Sequence, residues 1–320
     1  MSSLRRPLAI GGPTATGKTV LAVELASRLG AELVNADSRQ VIRRLRVGTA
    51  APTPVELGGV PCHLLDLCEP GARFTVADWL ERARRTLDGL DARGVPAIFV
   101  GGTGQYLRAL REGWDFGGTA PDAAVRAQLT DDASAPGGLE RLAAELRGRD
   151  PDGAASVDLA NPRRVIPALE LLRGGATSLA DARRRAGGVA VDTVILDAER
   201  DVHRDALQAR MDGMFATGAL VAEVHAELRR GTTPAALRRA GIGYAEALAL
   251  AEGDIDVEQA RAATLQRTRR YVKAQRTWFR HEPSVLRLER GAGVSTSTLA
   301  DRVLTEVSSG RAGPRRESSR

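Results

Sequence analysis

The chain has 320 residues, 43% of them hydrophobic, which predicts one large domain with a second, smaller one and excludes an intrinsically disordered protein. Its net charge of +6 favours RNA or DNA as a partner, although only Lys18 and Lys273 of its 46 basic residues are lysines, an arginine bias that also fits a GC-rich genome. No stretch approaches the roughly 20 apolar residues that cross a bilayer, so we expect a cytoplasmic monomer with no membrane partner.

The first third of the chain alternates short apolar runs with helical patterns. The predicted strands are 7–11, 31–37 and 95–100, and the predicted helices are 19–29 and 75–93. Thr75 and Asp78 fit the capping box that begins the second helix, and Gly94 fits its end. Because alternating strands and helices require parallel crossovers, residues 1–114 are predicted to form the first part of a doubly wound α/β core.

The composition of the sequence changes over residues 115–190. Short Ala- and Arg-rich helical segments, such as 138–147 and 163–173, are separated there by Gly, Pro and Asp, which predicts a small all-helical insertion domain. The second part of the core is expected at 191–290, with a strand at 191–197 and helices at 202–216, 220–229 and 257–279. Residues 291–320 are rich in Ser, Thr, Gly and Arg and are predicted to form a disordered tail.

A phosphate-binding P-loop follows the first predicted strand. The sequence Gly-Pro-Thr-Ala-Thr-Gly-Lys-Thr matches its pattern and lies between a strand and a helix, as the motif requires. Backbone N–H groups of such a loop point at an anion, to which Lys18 adds a charge, and the Thr19 hydroxyl is expected to hold Mg²⁺. The predicted phosphate-binding residues are Gly12, Pro13, Thr14, Ala15, Thr16, Gly17, Lys18 and Thr19.

Two further polar segments follow predicted strands at the edge of the sheet where ligands of such folds bind. Asp37 ends the second strand, where it could also serve as a helix cap or an indirect Mg²⁺ ligand. Thr103 lies in a glycine-rich segment after the third strand, which turn formation alone could explain. Both positions are expected to lie beside the P-loop. A P-loop indicates that a phosphate group binds, but it does not indicate which reaction follows. A P-loop small-molecule kinase therefore stays an alternative, although its arginine-rich lid is not evident.

Several motifs occur in one order that resembles the tRNA dimethylallyltransferase family, also called tRNA isopentenyltransferases, from about Ala9 to Phe279. The motifs are the P-loop, Asp37-Ser38 with Gln40, Gly48-Thr49, Pro61 to Asp66, Gly101 to Tyr106, Arg210 with Met214, Gly241 to Tyr244 and Thr268 to Arg280. The resemblance implies a P-loop doubly wound parallel sheet. It also implies transfer of a dimethylallyl group from dimethylallyl diphosphate to the N6 amine of the tRNA adenosine on the 3′ side of the anticodon.

The resemblance also implies roles for individual residues. Asp37 would be the general base on the amine, Thr103 would orient the adenine or the reacting phosphate, and Arg210 would help Lys18 and Mg²⁺ to neutralise the departing pyrophosphate. The insertion would clamp the anticodon stem-loop while the reacting base is flipped out, although each insertion arginine alone also fits a solvated helix face. The expected tRNA contacts are Asp37, Ser38, Arg39, Gln40, Thr103, Arg126, Arg163, Arg164, Gly243, Tyr244, Lys273 and Gln275.

The chain departs from the family pattern at five positions. Ile42 stands where the family usually has tyrosine, and Ala51, Pro167, Ala245 and Ala274 stand where it usually has basic residues. Most of these losses fall on expected RNA contacts, which leaves a non-enzymatic RNA-binding remnant as an alternative. Prenyl transfer to free adenine nucleotide is a further alternative. The insertion argues against it, because a small acceptor needs no clamp.

Overall fold

The fold is given by a computed structural model that describes residues 4–114, 123–182 and 187–308. The chain divides into two compact units, one formed by Met1–Arg111 with Ala190–Arg320 and the other by Glu112–Val189. The predicted insertion, 115–190, covers almost the same residues as the second unit. Within the described ranges, none of the helices combines the length and the apolar character needed to traverse a membrane.

The first unit is built on a six-stranded sheet with the order β3-β2-β4-β1-β5-β6, and every adjacent pair of strands is parallel. The strands are β1 Leu8–Gly11, β2 Glu32–Asn35, β3 Cys62–His63, β4 Ala97–Gly101, β5 Asp192–Ala198 and β6 Leu286–Arg290. β1 lies between β4 and β5, so the P-loop leaves the middle of the sheet at its carboxyl edge. This arrangement confirms the predicted α/β fold class.

Fifteen helices are present in the described part of the chain. They are α1 Lys18–Leu29, α2 Pro54–Leu57, α3 Val76–Asp91, α4 Gly104–Glu112, α5 Ala123–Ser134, α6 Gly138–Arg149, α7 Pro151–Ala155, α8 Pro162–Arg173, α9 Leu179–Ala182, α10 Arg200–Phe215, α11 Ala219–Arg229, α12 Pro234–Ala240, α13 Tyr244–Glu252, α14 Val257–Arg280 and α15 Thr296–Ser308. Thr75 caps α3 in a capping box with Asp78, as predicted.

Helices cover both faces of the sheet because its central strands are apolar on both sides. On β4, Ile98 and Val100 belong to the same buried cluster as Leu25 of α1. Phe99 points the opposite way and meets the ring of Trp79 on α3, with 6.1 Å between ring centroids. The period of two along the strand thus fixes one layer of helices on each side, and the P-loop is held between rigid elements.

The prediction of a disordered tail is wrong for residues 296–308. They form α15, whose Leu299 and Val303 are fully buried in the cluster that contains Leu25 of α1 and Leu288 of β6. The Ser- and Thr-rich composition suggested disorder, but these apolar residues recur at a four-residue spacing that gives the helix a buried face. Residues 309–320 of that predicted tail lie outside the described part of the chain.

In the described part of the unit Glu112–Val189, the helices α5 to α9 are joined by turns and loops. Leu129 of α5, Leu146 of α6 and Leu169 of α8 share one buried cluster. Pro167 lies inside α8, where proline provides no backbone N–H. The unit therefore has a hydrophobic core of its own, as an all-helical insertion domain requires.

Candidate active site

The P-loop joins β1 to α1 in a backbone conformation that depends on glycine. The φ angles of Gly12, Ala15 and Gly17 are 145°, 60° and 86°, all in the left-handed region. Alternation of such residues with ordinary ones presents successive N–H groups to an anion. A Cβ on Gly12 would lie 2.1 Å from the carbonyl oxygen of Leu196 on β5, so only glycine fits against that strand.

Lys18 lies buried at the start of α1, beneath this loop. Its Nζ donates a hydrogen bond to the backbone oxygen of Pro13. Burial lowers the pKa of Lys18 from its ordinary value to about 8; Asp37 and Asp197 oppose that shift, and Arg210 adds to it. A diphosphate bound here would restore the full charge of Lys18, since a nearby anion favours the protonated form.

Arg210 reaches the P-loop from α10. Its Nη1 donates to the Thr14 hydroxyl at 2.8 Å, and its Nη2 donates to the carbonyl oxygen of Gly48 at 3.1 Å. The Nε atom is buried and finds no acceptor in the described part of the protein. Burial also lowers the pKa of Arg210. A buried donor beside a P-loop is satisfied when an anion binds, because buried polar groups are otherwise almost always paired.

A cavity of about 460 Å³ brings these groups together with Asp37. Its walls include the loop from Thr14 to Thr19, Gln40, Asp37 and Arg210. The backbone N–H of Asp37 donates to the side chain of Asn35 at 3.0 Å, which fixes the carboxylate just beyond β2. The site therefore combines cations and backbone donors for a phosphate group with one carboxylate that can accept a proton.

Thr103 holds the turn after β2 and is not among the described residues that line the cavity. Its Oγ1 accepts a hydrogen bond from the backbone N–H of Ser38 at 2.9 Å and donates to the Ser38 hydroxyl at 3.2 Å. Its backbone N–H donates to the carbonyl oxygen of Ala36. In this structure Thr103 therefore positions the turn that carries Asp37.

Gln275, an expected tRNA contact, is buried inside the protein on α14. Its Oε1 accepts a hydrogen bond from the backbone N–H of Thr14 at 2.9 Å, and its Nε2 donates to the carbonyl oxygen of Gly102 at 3.0 Å. Both ends of the amide are thus occupied by the protein. The geometry shows Gln275 supporting the P-loop, and its expected contact with tRNA stays a prediction.

Tyr244 is also fully buried, and its hydroxyl donates to Glu223 at 2.7 Å. The other carboxylate oxygen of Glu223 accepts the backbone N–H groups of Arg46 and Val47. Gly243 precedes Tyr244 with a φ of 103° and begins α13. Through Glu223, Tyr244 therefore supports the loop that presents Gly48 to Arg210, and its own side chain offers no exposed surface to RNA.

The remaining expected tRNA contacts of the sheet unit lie closer to the surface. Arg39 and Lys273 are exposed, and Ser38 is half-buried. Gln40 lines the cavity and donates to the carbonyl oxygen of Ala50 at 2.8 Å. Arg39 also donates to the backbone oxygen of Arg239 at 3.0 Å, so its guanidinium extends along the protein surface.

The expected contacts of the helical unit differ in their surroundings. Arg163 and Arg164 are exposed in the first turn of α8. Arg126 of α5 pairs with the buried carboxylate of Glu170 at 2.8 Å. Arg126 therefore contributes to the packing of α5 on α8, whereas Arg163 and Arg164 present their charge to solvent.

A group of polar and charged residues behind the P-loop, His203, Arg276 and Asp197, was not predicted from the sequence. His203 on α10 contacts the carbonyl oxygen of Thr14 through Nε2 at 2.8 Å. Arg276 donates to His203 Nδ1 at 3.0 Å and to Asp197 at 2.8 Å. Because arginine can only donate, Nδ1 accepts and Nε2 carries the proton that binds Thr14. Burial lowers the pKa of His203, which favours the neutral ring that this hydrogen-bonding pattern requires.

Comparison with known proteins decides the family. The family model described as IPP transferase matches residues 40–282, and the model described as Isopentenyl transferase matches residues 7–67. The chain is 40% identical over 293 residues to the tRNA dimethylallyltransferase of Mycobacterium sp. strain KMS, covering 90% of this chain and 95% of that protein. The chain belongs to the tRNA dimethylallyltransferase family. The resemblance stated from its motifs is thus confirmed.

Two further relatives agree with this assignment, and a third protein shares the fold alone. The protein of Rhodococcus jostii strain RHA1 is 38% identical over 281 residues, covering 87% of this chain and 90% of its own. The tRNA isopentenylpyrophosphate transferase of Bacillus halodurans has a similar structure, with a TM-score of 0.67, 31% identity and coverage of 95% and 97%. A eukaryotic dimethylallyltransferase acting on tRNA shares the fold, with a TM-score of 0.79 at 21% identity and coverage of 97% and 81%.

Proposed function

We propose that this chain transfers a dimethylallyl group from dimethylallyl diphosphate to the N6 amine of the tRNA adenosine on the 3′ side of the anticodon. One observation carries the proposal: a single cavity holds the P-loop, Lys18, Arg210 and Asp37. Cations suited to a diphosphate leaving group thus share a cavity with a carboxylate suited to deprotonating an amine. The 40% identity to a relative named tRNA dimethylallyltransferase supports the choice of substrates.

The first role of the cavity is to stabilise the leaving group. In the transfer, the bond between the allylic carbon and the diphosphate oxygen breaks, and the oxygen keeps the electron pair. Lys18 and Arg210 face the negative charge that accumulates there, and the unpartnered Nε of Arg210 provides a further donor. His203, Gln275 and Arg210 each hold Thr14, so the loop is fixed before the diphosphate arrives.

The second role is to remove a proton from the acceptor. The N6 nitrogen forms the new bond to carbon, and its proton passes to the carboxylate of Asp37. An exocyclic amine is a poor nucleophile until this proton is taken. Asn35 and Ser38 hold the turn on either side of Asp37, and Thr103 holds Ser38 in turn. We infer that Thr103 contributes to transfer by positioning this turn and, with it, Asp37.

Magnesium fits the cavity through Thr19. Thr19 and Asp37 both line the cavity, and the described ranges contain no cluster of three or more His, Cys, Asp or Glu side chains that could hold a metal ion. Thr19 would hold a Mg²⁺ ion beside the diphosphate, because oxygen ligands suit this ion. When bound, it supplies positive charge to the diphosphate.

We further propose that the helical unit contacts the anticodon stem-loop. Arg163 and Arg164, exposed on α8, suit contacts to RNA phosphates, which depend on the position of a charge. Arg39 and Lys273 are exposed in the sheet unit and suit the same task. Binding through such contacts releases counterions from the RNA, so the affinity for tRNA should fall steeply as the salt concentration rises.

The direct test is mass spectrometry of tRNA nucleosides after incubation with Mg²⁺ and dimethylallyl diphosphate. We expect N6-dimethylallyl adenosine in unmodified tRNA and in an isolated anticodon stem-loop, but not with free adenosine monophosphate as acceptor. Product on the free nucleotide alone would support the small-acceptor alternative. Absence of product on every tRNA pool would favour a non-enzymatic RNA-binding protein. Thermal stabilisation by ATP with hydrolysis, and none by dimethylallyl diphosphate, would support a kinase.

A further inference from the structure

A second arginine reaches the phosphate cavity from the far end of the chain. Arg290 is the last residue of β6 and lines the cavity together with Lys18 and Thr19. Its guanidinium packs against the P-loop: a Cβ built on Gly17 would lie 2.6 Å from Arg290 Nη1. Arg210 contacts the same loop at Thr14, so the two guanidiniums approach it three residues apart.

The surroundings of Arg290 leave its charge without a counterion. Its Nη2 donates to the neutral hydroxyl of Thr296 at 2.9 Å, and no ion pair joins Arg290 to any acid of the described ranges. Its Nε is buried and lacks an acceptor there. By contrast, the guanidinium of Arg276 pairs with the carboxylate of Asp197 at 2.8 Å. A guanidinium with a buried, unused N–H beside a P-loop is arranged for an anion.

We propose that Arg290 binds the diphosphate directly, as a second arginine of the leaving-group site. The inference rests on the proposed function, because it names a further contact of the same diphosphate. A guanidinium presents several N–H donors in a planar fork and stays charged at every working pH. Lys18, with a pKa lowered to about 8, does not. Two guanidiniums, Arg210 and Arg290, would therefore face the ligand, and the second would favour a diphosphate over a single phosphate.

A structural role is the competing explanation. Arg290 could simply tie β6 to the start of α15 through Thr296. The two roles separate because Thr296→Val removes that hydrogen bond and keeps the guanidinium in the cavity. Arg302→Gln provides a matched charge control, since Arg302 is exposed on α15 and does not line the cavity.

The experiment is calorimetric titration of inorganic pyrophosphate and inorganic phosphate, with Mg²⁺, into the full-length wild type and these variants. We expect Arg290→Gln to weaken pyrophosphate binding about tenfold to hundredfold, as loss of charge-assisted hydrogen bonds implies, and to weaken phosphate binding less. Arg290→Lys should lose several-fold, because it keeps the charge but not the fork. Thr296→Val and Arg302→Gln should stay within about threefold of the wild type.

Two results would overturn the inference: unchanged pyrophosphate affinity in Arg290→Gln, or an equal loss in Thr296→Val. If Arg290→Gln does not fold, as judged by circular dichroism, the comparison of Arg290→Lys with the wild type decides, and equal affinities would refute direct binding. These results are distinct from failure of the proposed function. That failure would appear in the wild type itself, as absence of pyrophosphate binding or of prenylated tRNA.

Discussion

The buried amide of Gln275 accepts a hydrogen bond from the backbone N–H of Thr14, 2.9 Å away. The same amide donates to the carbonyl oxygen of Gly102, so one side chain of α14 joins the P-loop to the loop after β4. Gly102 approaches Gln275 so closely that a Cβ there would lie 2.4 Å from Nε2. The phosphate-binding loop and the loop that carries Thr103 are therefore held at a fixed separation.

Replacement of Gln275 by leucine should loosen the P-loop. The substitution leaves the half-buried N–H of Thr14 and the buried carbonyl of Gly102 without their partner, and the buried carbonyl alone costs about 1–3 kcal/mol. We expect a Tm lower by several degrees and weaker binding of dimethylallyl diphosphate, measured by thermal unfolding and calorimetry. Thr277→Ala, an exposed change on the same helix, should alter neither quantity. Loss of tRNA affinity alone, with Tm and diphosphate binding intact, would restore Gln275 as an RNA contact.

Replacement of Asp37 by asparagine tests the proposed base. The amide keeps the size and the hydrogen-bonding capacity of the side chain but cannot take a proton, so transfer should slow by about 10²–10⁴-fold. Diphosphate affinity should stay within a few-fold. Glu56→Gln is a suitable control, because Glu56 is another carboxylate that lines the cavity. Single-turnover transfer followed by mass spectrometry provides the rates, and equal rates in wild type and Asp37→Asn would remove the assignment.

The depressed pKa of Lys18 predicts how diphosphate binding depends on pH. In the free protein this pKa is about 8, because burial outweighs the attraction of Asp37 and Asp197. The bound anion raises it, so binding takes up a proton above pH 8. Affinity should therefore be fully developed below pH 8 and should fall as pH rises from 8 toward the higher pKa of the complex. Calorimetry in buffers of different ionisation enthalpy measures this uptake directly.

Lys18→Met provides the control for that experiment. The variant should bind dimethylallyl diphosphate more weakly at pH 7 and should lose the additional slope above pH 8. Any slope that persists in the variant belongs to the ligand or to other groups of the protein. A wild type and a Lys18→Met variant with parallel pH profiles would show that Lys18 does not titrate on binding.

The parts of the site that sequence could predict are those with a local signature. The P-loop is continuous in the chain, and Asp37 directly follows an apolar strand, so their meeting at the sheet edge follows from parallel topology. Residues such as His203 and Arg290 carry no such signature. They reach the P-loop only because β5, β6 and α10 pack beside β1. The order of strands in the sheet cannot be predicted from any single segment of the sequence.

The buried supports show a second limit of sequence. Tyr244 and Gln275 occur in motifs that suggested RNA contacts, yet the structure places both inside the protein. A polar side chain that satisfies buried backbone groups and one that meets a ligand have the same chemistry. Only their surroundings distinguish them, and those surroundings come from distant parts of the chain, as Thr14 and Gln275 illustrate.

Leu299 tests whether α15 is an integral part of the core. Its side chain is fully buried in the cluster that includes Leu25 of α1, so Leu299→Ala should lower the free energy of unfolding by about 2–5 kcal/mol, with an unchanged denaturant m-value. Arg302→Ala, an exposed change on the same helix, should cost less than about 0.5 kcal/mol. Urea unfolding of both variants makes the comparison. Equal midpoints for the two variants would mean that the end of the chain does not stabilise the fold. In that case the original prediction of a disordered tail would be correct for this helix.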